Sequence, residues 1–249
     1  MNGPLLEVDS LSHVFPNGKE GLRDVSLTFE RGGLTILAGA NGSGKTLLMR
    51  HLNGLARPSS GEVRLDGVPV LKNPAEARRR VGLVFQDADA QIVGQTVARD
   101  AAFGPENLKL DRDEIRRRVN SALESTGLVG FDDRQPHSLS GGEKRRLAVA
   151  GVLAMEPDIL VLDEPFTGLD WPGCARLIDV LENLLDKGRT LILITHDLAK
   201  ILAHAGRLVV MEDGCVRADG SPAEVLDRVE DFGIRRPSGA LRDMTWSRR

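Results

Sequence analysis

A glycine-rich segment, GANGSGKT at residues 39–46, follows the apolar run LTILA and precedes the helix-like run KTLLMRHLNGL. It fits the pattern G-x-x-x-x-G-K-[ST], in which glycines let successive backbone N–H groups face phosphate oxygens at the positive end of a helix. A strand that passes through such a loop into a helix opens a unit of a parallel α/β sheet. A plain turn has no need of Lys45 followed by Thr46, so we predict a phosphate-binding site here.

The rest of the chain alternates in the same way. Apolar runs at 5–38, 61–67, 81–86, 159–163 and 190–195 predict strands, 142–155 and 174–186 predict helices, and 207–220 predicts a hairpin turning at Asp213-Gly214. We therefore predict an α/β fold, with a mostly parallel sheet between helices and small antiparallel strands near each end.

The middle of the chain has a different pattern. Asp111 followed by Glu114 predicts a helix start, and Ile115, Val119, Ala122 and Leu123 fall on one helical face. Residues 88–137 are thus expected to form a mostly helical insert, in a helical subdomain of about 88–155. We predict one domain over residues 1–225 and a C-terminal tail over residues 226–249, of which the end, IRRPSGALRDMTWSRR at 234–249, is polar and expected to be loosely held.

Composition excludes some classes of function. The chain has 249 residues, of which 41% are hydrophobic and 28% charged, as in ordinary soluble proteins. A net charge of −3 gives no reason to expect nucleic-acid binding. Cys174 and Cys215 have no metal-site spacing, and we expect free thiols. We expect no signal peptide, because MNGPLLEVDS lacks the basic and apolar regions of one. We expect no membrane span, because no apolar run approaches ~20 residues.

A second chemical motif is VLDE at 161–164. Its apolar strand delivers Asp163 to a carboxyl end, where the carboxylate can hold Mg²⁺ and its waters. Glu164 points differently and can accept a proton from an attacking water. Lys45 is expected to reach the β- and γ-phosphates, and the Thr46 hydroxyl to ligate Mg²⁺.

Three further residues are ambiguous by themselves. Gln86 ends a strand and is either a solvated amide or a group that touches metal or water. His196 follows the strand RTLILIT and is either a surface residue or a γ-phosphate contact. Phe15 is either a core residue or a platform for a purine base.

The segment LSGGEKRR at 139–146 is the part of the sequence that best discriminates between classes of function. Ser140 can cap a helix, and Gly141 and Gly142 then present backbone N–H groups at its positive end. An ordinary capped helix is the alternative interpretation. One nucleotide rarely needs two such helix starts from one small chain. In a two-fold dimer, however, each nucleotide can lie between the first loop of one subunit and the second of its partner.

These motifs, in this order, resemble the ATP-binding cassette (ABC) ATPases, a P-loop NTPase family, over essentially residues 5–225. GANGSGKT resembles the Walker A loop, Gln86 the Q-loop, LSGGE the signature, ILVLDE Walker B, Gly168-Leu169-Asp170 the D-loop and His196 the switch histidine. The resemblance implies ATP and Mg²⁺ as cofactors and a RecA-like core with an antiparallel β subdomain and a helical subdomain.

The resemblance also implies a role for each candidate residue. The nucleotide would contact Phe15, Asn41, Gly42, Ser43, Gly44, Lys45, Thr46 and Leu47, with Ser140, Gly141 and Gly142 acting on the γ-phosphate in trans and Asp170 tying the two sites together. The metal would contact Thr46, Gln86 and Asp163. The catalytic residues would be Glu164 as the base, with His196, Gln86 and Lys45.

Within the family, the chain resembles energy-coupling factor ATPases in three stretches: VFQDADAQIVGQTV, AAFGPENLKL and LSGGEKRRLAVAGVLAMEP. Those ATPases serve bacterial uptake systems for vitamins such as biotin, or for the metals cobalt and nickel. The implied partners are a second ATPase subunit, identical or related, a transmembrane coupling protein received by residues 87–107, and a small membrane substrate-binding protein. The implied location is the cytoplasmic face of the cell membrane.

Two departures from the family pattern stand out: Leu47 replaces a common second hydroxyl, and Trp171-Pro172-Gly173 extends the D-loop. Two other functions stay open. One is the ATPase of another importer or exporter. The other is a soluble cassette ATPase of DNA repair or translation, which usually carries coiled coils, tandem cassettes or basic patches that are lacking here.

Overall fold

The structure is a computed structural model that describes residues 3–247. The strands are β1 (Leu6–Val14), β2 (Glu20–Phe29), β3 (Gly33–Ala38), β4 (Ser60–Leu65), β5 (Val68–Pro69), β6 (Val81–Val84), β7 (Ile159–Asp163), β8 (Thr190–Thr195), β9 (Arg207–Glu212) and β10 (Cys215–Gly220). The helices are α1 (Lys45–Leu52), α2 (Pro74–Arg80), α3 (Val97–Asn107), α4 (Arg112–Ser125), α5 (Gly141–Leu153), α6 (Trp171–Asp186) and α7 (Pro222–Val225).

A six-stranded sheet with the order β10-β9-β3-β8-β7-β6 carries the fold. Its pairs are parallel except for β9 with β10, so the C-terminal hairpin lies within this sheet rather than beside it. Successive side chains enter opposite cores: Leu160 and Leu162 lie on one face, Ile159 and Val161 on the other. Because both faces are covered, β7 is an unbroken apolar run, which explains why its bounds were predictable.

The second sheet is antiparallel, with the order β2-β1-β4-β5. It shares a core with α1 and one face of the main sheet, where Phe29 and Leu48 are buried. The predicted combination of a mostly parallel sheet with antiparallel strands and a helical part is confirmed.

Three helices, α3, α4 and α5, form a separate apolar core around Val119, Leu123 and Leu147. Asp111 caps α4 by accepting from the N–H of Glu114 at 2.9 Å, as predicted. The Glu114 carboxylate pairs with Arg117 and Arg118 instead of returning to the cap.

Two expectations are wrong in detail. The helix predicted from residue 174 begins at Trp171, because Asp170 caps it through the N–H of Gly173 at 2.8 Å. The tail, expected to be loosely held, packs closely in its described part. Within residues 234–247 it returns to the main core, where Ile234 and Met244 are buried.

Two smaller observations complete the fold. No helix within residues 3–247 is both long and apolar enough to cross a membrane. Cys174 and Cys215 are free thiols, the first of them buried.

Candidate active site

A cavity of about 670 Å³ opens where β3, β7 and β8 end. Carboxyl ends of parallel strands are the expected position of a site in such a sheet. Its lining includes, from the residues predicted by sequence, Phe15, Asn41, Gly42, Ser43, Gly44, Lys45, Thr46, Leu47, Gln86, Asp163, Glu164 and His196. Segments far apart in the chain thus meet in one cavity of the size that small-molecule ligands occupy.

The loop before α1 is shaped by glycines. Gly42 and Gly44 have φ values of 85° and 101°, which side chains other than glycine's rarely allow. Lys45 is buried, and its Nζ donates to the carbonyls of Gly39 and Ala40 at 2.7 and 2.8 Å. Burial lowers the pKa of Lys45, although the charges of Glu164 and Asp163 oppose this. The lysine is therefore a desolvated cation, which an anion in the loop would stabilise.

The Thr46 hydroxyl donates to Asp163 Oδ2 at 2.8 Å and so joins the start of α1 to the end of β7. Burial raises the pKa of Asp163, and the hydrogen bond from Thr46 opposes that shift. Hydroxyl and carboxylate oxygens are donors that suit Mg²⁺, which keeps waters and substrate phosphates as its other ligands. Thr46 and Asp163 therefore fit a magnesium ion bound together with a phosphate.

Glu164 lies just past the end of β7 with a φ of 45°, an uncommon conformation for a residue with a side chain. Its Oε1 lies 2.7 Å from His196 Nδ1 and accepts from the backbone N–H of His196 at 3.1 Å. Its Oε2 accepts from Thr195 Oγ1 at 3.3 Å. Strand β8, which ends at Thr195, thus orients the carboxylate, and His196 is the partner of Glu164 in this structure.

Phe15 and Leu47 form an apolar wall of the cavity. They flank Gly21, where a Cβ would lie 2.5 Å from Leu47 Cδ2 and 2.7 Å from a Phe15 ring carbon. The His13 ring meets the Phe15 ring edge to face, with centroids 4.9 Å apart. Phe15 is 37% exposed, so its ring is held from one side and open on another.

Four predicted residues are not part of this cavity's lining: Ser140, Gly141, Gly142 and Asp170. Ser140 caps α5 in a reciprocal arrangement with Glu143. Ser140 and Gly141 are exposed at the helix start. The first N–H groups of a helix have no partner within it, so this end of α5 can receive an anion from outside the subunit.

Sequence reasoning missed several residues around the site. Gly21, Arg23 and Gly214 line the cavity but belong to hairpins with no motif. The Gln91 side chain accepts from Phe85 N and donates to the Leu83 carbonyl, which extends the edge of β6. Arg145 donates to the Gln86 carbonyl, although in the sequence it is only part of a basic run.

Comparisons with known proteins show which family the chain resembles. Residues 22–167 match the family described as ABC transporter. Over 91% of the chain, 42% of residues are identical to the energy-coupling factor transporter ATP-binding protein EcfA of Methanocaldococcus jannaschii, of which the match covers 82%.

Two solved structures are similar. CbiO1 from Clostridium perfringens, part of the ABC transporter complex CbiONQ, has a TM-score of 0.84 and 38% identity over 92% of this chain and 93% of that one. A dimeric post-hydrolysis state of the ATP-binding cassette MJ0796, bound to ADP and Pi, has a TM-score of 0.78 and 26% identity over 87% and 98% of the two chains.

Proposed function

The chain belongs to the ABC transporter ATPases of the energy-coupling factor type and hydrolyses ATP, and from that premise we propose that it powers uptake of a vitamin or a transition-metal ion such as cobalt or nickel. It does so as one of two ATPase subunits that close head to tail beneath a transmembrane coupling protein and a small membrane substrate-binding protein. The proposed location is the cytoplasmic face of the cell membrane. One relative reported above is archaeal and another bacterial, so the proposal does not depend on the bacterial source first expected.

One observation carries the proposal: the chain has two glycine-rich helix starts suited to a phosphate, and the two do not meet. The loop before α1 lines the cavity, whereas Ser140, Gly141 and Gly142 do not. A second subunit turned by 180° brings its own α5 start to this cavity and offers its own cavity in return. The similar MJ0796 cassette is itself dimeric with ADP and Pi bound, which supports a dimer here.

Each residue then has a task in hydrolysis. The loop N–H groups and Lys45 hold the phosphates of ATP. Thr46, Asp163 and Gln86 would hold Mg²⁺, which would neutralise phosphate charge. Glu164 accepts a proton from the attacking water, and His196, now beside Glu164, contacts the γ-phosphate. Phe15 stacks on the base, and Asp170 joins the two sites across the interface.

A groove on the helical part suits the transmembrane partner. It has a volume of about 340 Å³ and runs between α2, α3 and α5. Val93 and Phe103, which line it, are 61% and 53% exposed, and Arg78 and Arg79 stand on its rim. An apolar groove of this kind suits a short helix of another protein. This groove includes part of residues 87–107, the segment that we assign to the coupling protein.

The test uses the full chain with Glu164→Gln. We expect turnover to fall by about 10²–10⁴-fold while ATP binding persists, since only the base is lost. The variant should then form an ATP-dependent dimer in light scattering. Glu30→Gln, which changes an exposed glutamate remote from the cavity, is the matched control. Near-normal hydrolysis by Glu164→Gln, or a monomer at saturating ATP, contradicts the proposal.

The transport role is tested separately, by affinity purification of the tagged chain from membranes of its source organism. We expect two membrane proteins, one of them small, and loss of both on Phe103→Asp in the groove. Capture of a large exporter or of a periplasmic-binding-protein importer identifies another transporter class. Recovery with no membrane protein at all favours the soluble alternative.

A further inference from the structure

Arg145 lies in the second turn of α5 and is only 7% exposed. Its guanidinium donates to three backbone carbonyls: those of Phe85 at 3.1 Å, of Gln86, and of Thr167 at 3.4 Å. The carboxylates of Asp87 and Asp163 favour its charged form against the cost of burial. A buried cation thus has backbone acceptors in two separate loops.

These two loops belong to the cavity. Gln86 and Thr167 both line it, and Thr167 also donates its N–H to the carbonyl of Glu164 at 3.1 Å. The helix that carries Arg145 begins at Ser140, outside the cavity. One side chain therefore connects the helix that would meet the partner's nucleotide with two loops that would meet this subunit's own nucleotide.

The connection is stiff for a chemical reason. A planar guanidinium offers five N–H donors in a fixed fork and stays charged, whereas an ammonium is a flexible point charge. Hydrogen bonds from a charged donor are stronger than neutral ones, and leaving buried carbonyls without a donor is costly. The neighbouring link, Lys144 to Asp89 at 2.6 Å, involves an aspartate that is 72% exposed, so water competes with it.

We propose that Arg145 is a positioning residue that couples the two nucleotide sites through one subunit. When Ser140, Gly141 and Gly142 engage the partner's nucleotide, α5 shifts, and Arg145 carries that shift to Gln86 and to the turn after Glu164. Hydrolysis in one cavity thereby depends on occupation of the other. The inference rests on the head-to-tail dimer of the proposed function.

The test compares Arg145→Gln with the wild-type chain in steady-state ATP hydrolysis and in equilibrium binding of a fluorescent ATP analogue. We expect the affinity for nucleotide to stay within about twofold, because Arg145 does not line the cavity. We expect kcat to fall about tenfold and the Hill coefficient to approach one, within the range of coupling effects of single residues.

Arg118→Gln is the matched control. Arg118 is also largely buried and donates to a backbone carbonyl, that of Met155 at 3.3 Å, but it contacts no cavity loop. We expect its kcat and Hill coefficient to stay within about twofold of wild type. If Arg145→Gln does not fold, Arg145→Lys, which keeps the charge but loses the fork, is compared in the same way.

A double-mutant cycle separates positioning from general support. Because Arg145 acts partly through Gln86, Arg145→Gln should cost clearly less in kcat when Gln86→Ala is already present than the tenfold expected in the wild-type background. Independent, multiplying losses, or a normal kcat and Hill coefficient in Arg145→Gln, would overturn the inference. If the inference fails in this way, the proposed function still stands as long as the wild-type chain hydrolyses ATP and the Glu164→Gln variant dimerises with ATP. A wild-type chain without ATPase activity would instead refute the proposed function.

Discussion

Desolvated charges define the active site at the scale of single residues. Burial lowers the pKa of Lys45 and raises the pKa of Asp163, so each group is held at a cost in its charged form. Hydrogen bonds from Lys45 to loop carbonyls and from the Thr46 hydroxyl to Asp163 offset part of that cost. A triphosphate beside Lys45 and a divalent cation beside Asp163 would add opposite charge to that of the neighbouring side chains, which favours binding.

The burial of His51 predicts how the stability of the fold depends on pH. Burial, together with the neighbouring His13, lowers the pKa of His51 to about 4 from an ordinary 6.5. Between these two pH values the unfolded chain binds more protons than the folded chain. The stability that comes from keeping His51 neutral is therefore fully present above pH 6.5, decreases as the pH falls from 6.5, and is lost as the pH passes through 4. We expect a loss of about 3 kcal/mol in the free energy of unfolding. Urea titrations between pH 4 and 7 measure it.

Controls for this prediction come from the same residue type. His51→Gln should remove most of the extra pH dependence, because no titrating group then remains at that position. His137→Gln, at an exposed histidine, should leave the wild-type slope unchanged. Equal slopes for wild type and His51→Gln would show that His51 is not held neutral by the fold.

At the scale of secondary-structure elements, strand and helix ends place the chemistry. Strands β7 and β8 pair in register and bring Asp163, Glu164 and His196 to one edge of the sheet. Helix α6 then starts at Trp171, so the unusual Trp171-Pro172-Gly173 sequence is its first turn, with proline where it is tolerated. The apparent insertion in the D-loop is therefore a regular helix start.

Asp170 has a capping role that can be separated from its proposed role between subunits. Asp170→Ala should lower the free energy of unfolding by about 1 kcal/mol, because the N–H of Gly173 loses its acceptor. Asp170→Ser keeps an acceptor and should keep stability. We expect ATPase activity to fall in both variants if the carboxylate also joins the two sites. Full activity in Asp170→Ser would restrict Asp170 to capping.

At the scale of the whole molecule, the C-terminal residues 234–247 pack against the main core. Met244 enters the core of the catalytic strands, and its carbonyl accepts from the N–H of Ala203 at 3.0 Å. The Lys200 ammonium lies 4.8 Å from the centre of the Trp246 ring, and Lys200 follows His196 by one short turn. Residues 244–246 thus support the loop that follows His196.

This packing predicts a large effect from a residue that is far from any motif. Met244→Ala should lower the free energy of unfolding by about 2–5 kcal/mol, since a buried side chain leaves a cavity. Arg242→Ala, at a side chain that is 88% exposed, should change it by less than about 0.5 kcal/mol. Thermal and urea unfolding measure both. Equal stability of the two variants would contradict the packing of this segment.

Local rules made most of the fold and the core of the site predictable. Lys45 and Thr46 could be predicted as site candidates because a phosphate loop needs glycines before a helix. Asp163 and Glu164 could be predicted because a strand buried on both faces is an unbroken apolar run, and all four line the cavity. These signals lie within a few residues of the groups that they identify. The strand bounds of β7 and β8 and the cap at Asp111 were predictable for the same reason.

Long-range packing decided the rest. Gly21 matters because Phe15 and Leu47 close around it, and Arg145 because Gln86 and Thr167 approach its helix. The segment around Met244 is polar in sequence, yet its few apolar side chains pack into a core that is formed by strands distant in sequence. Such roles depend on which residues the fold brings together. Neither the type of a side chain nor its neighbours in sequence predict those long-range contacts.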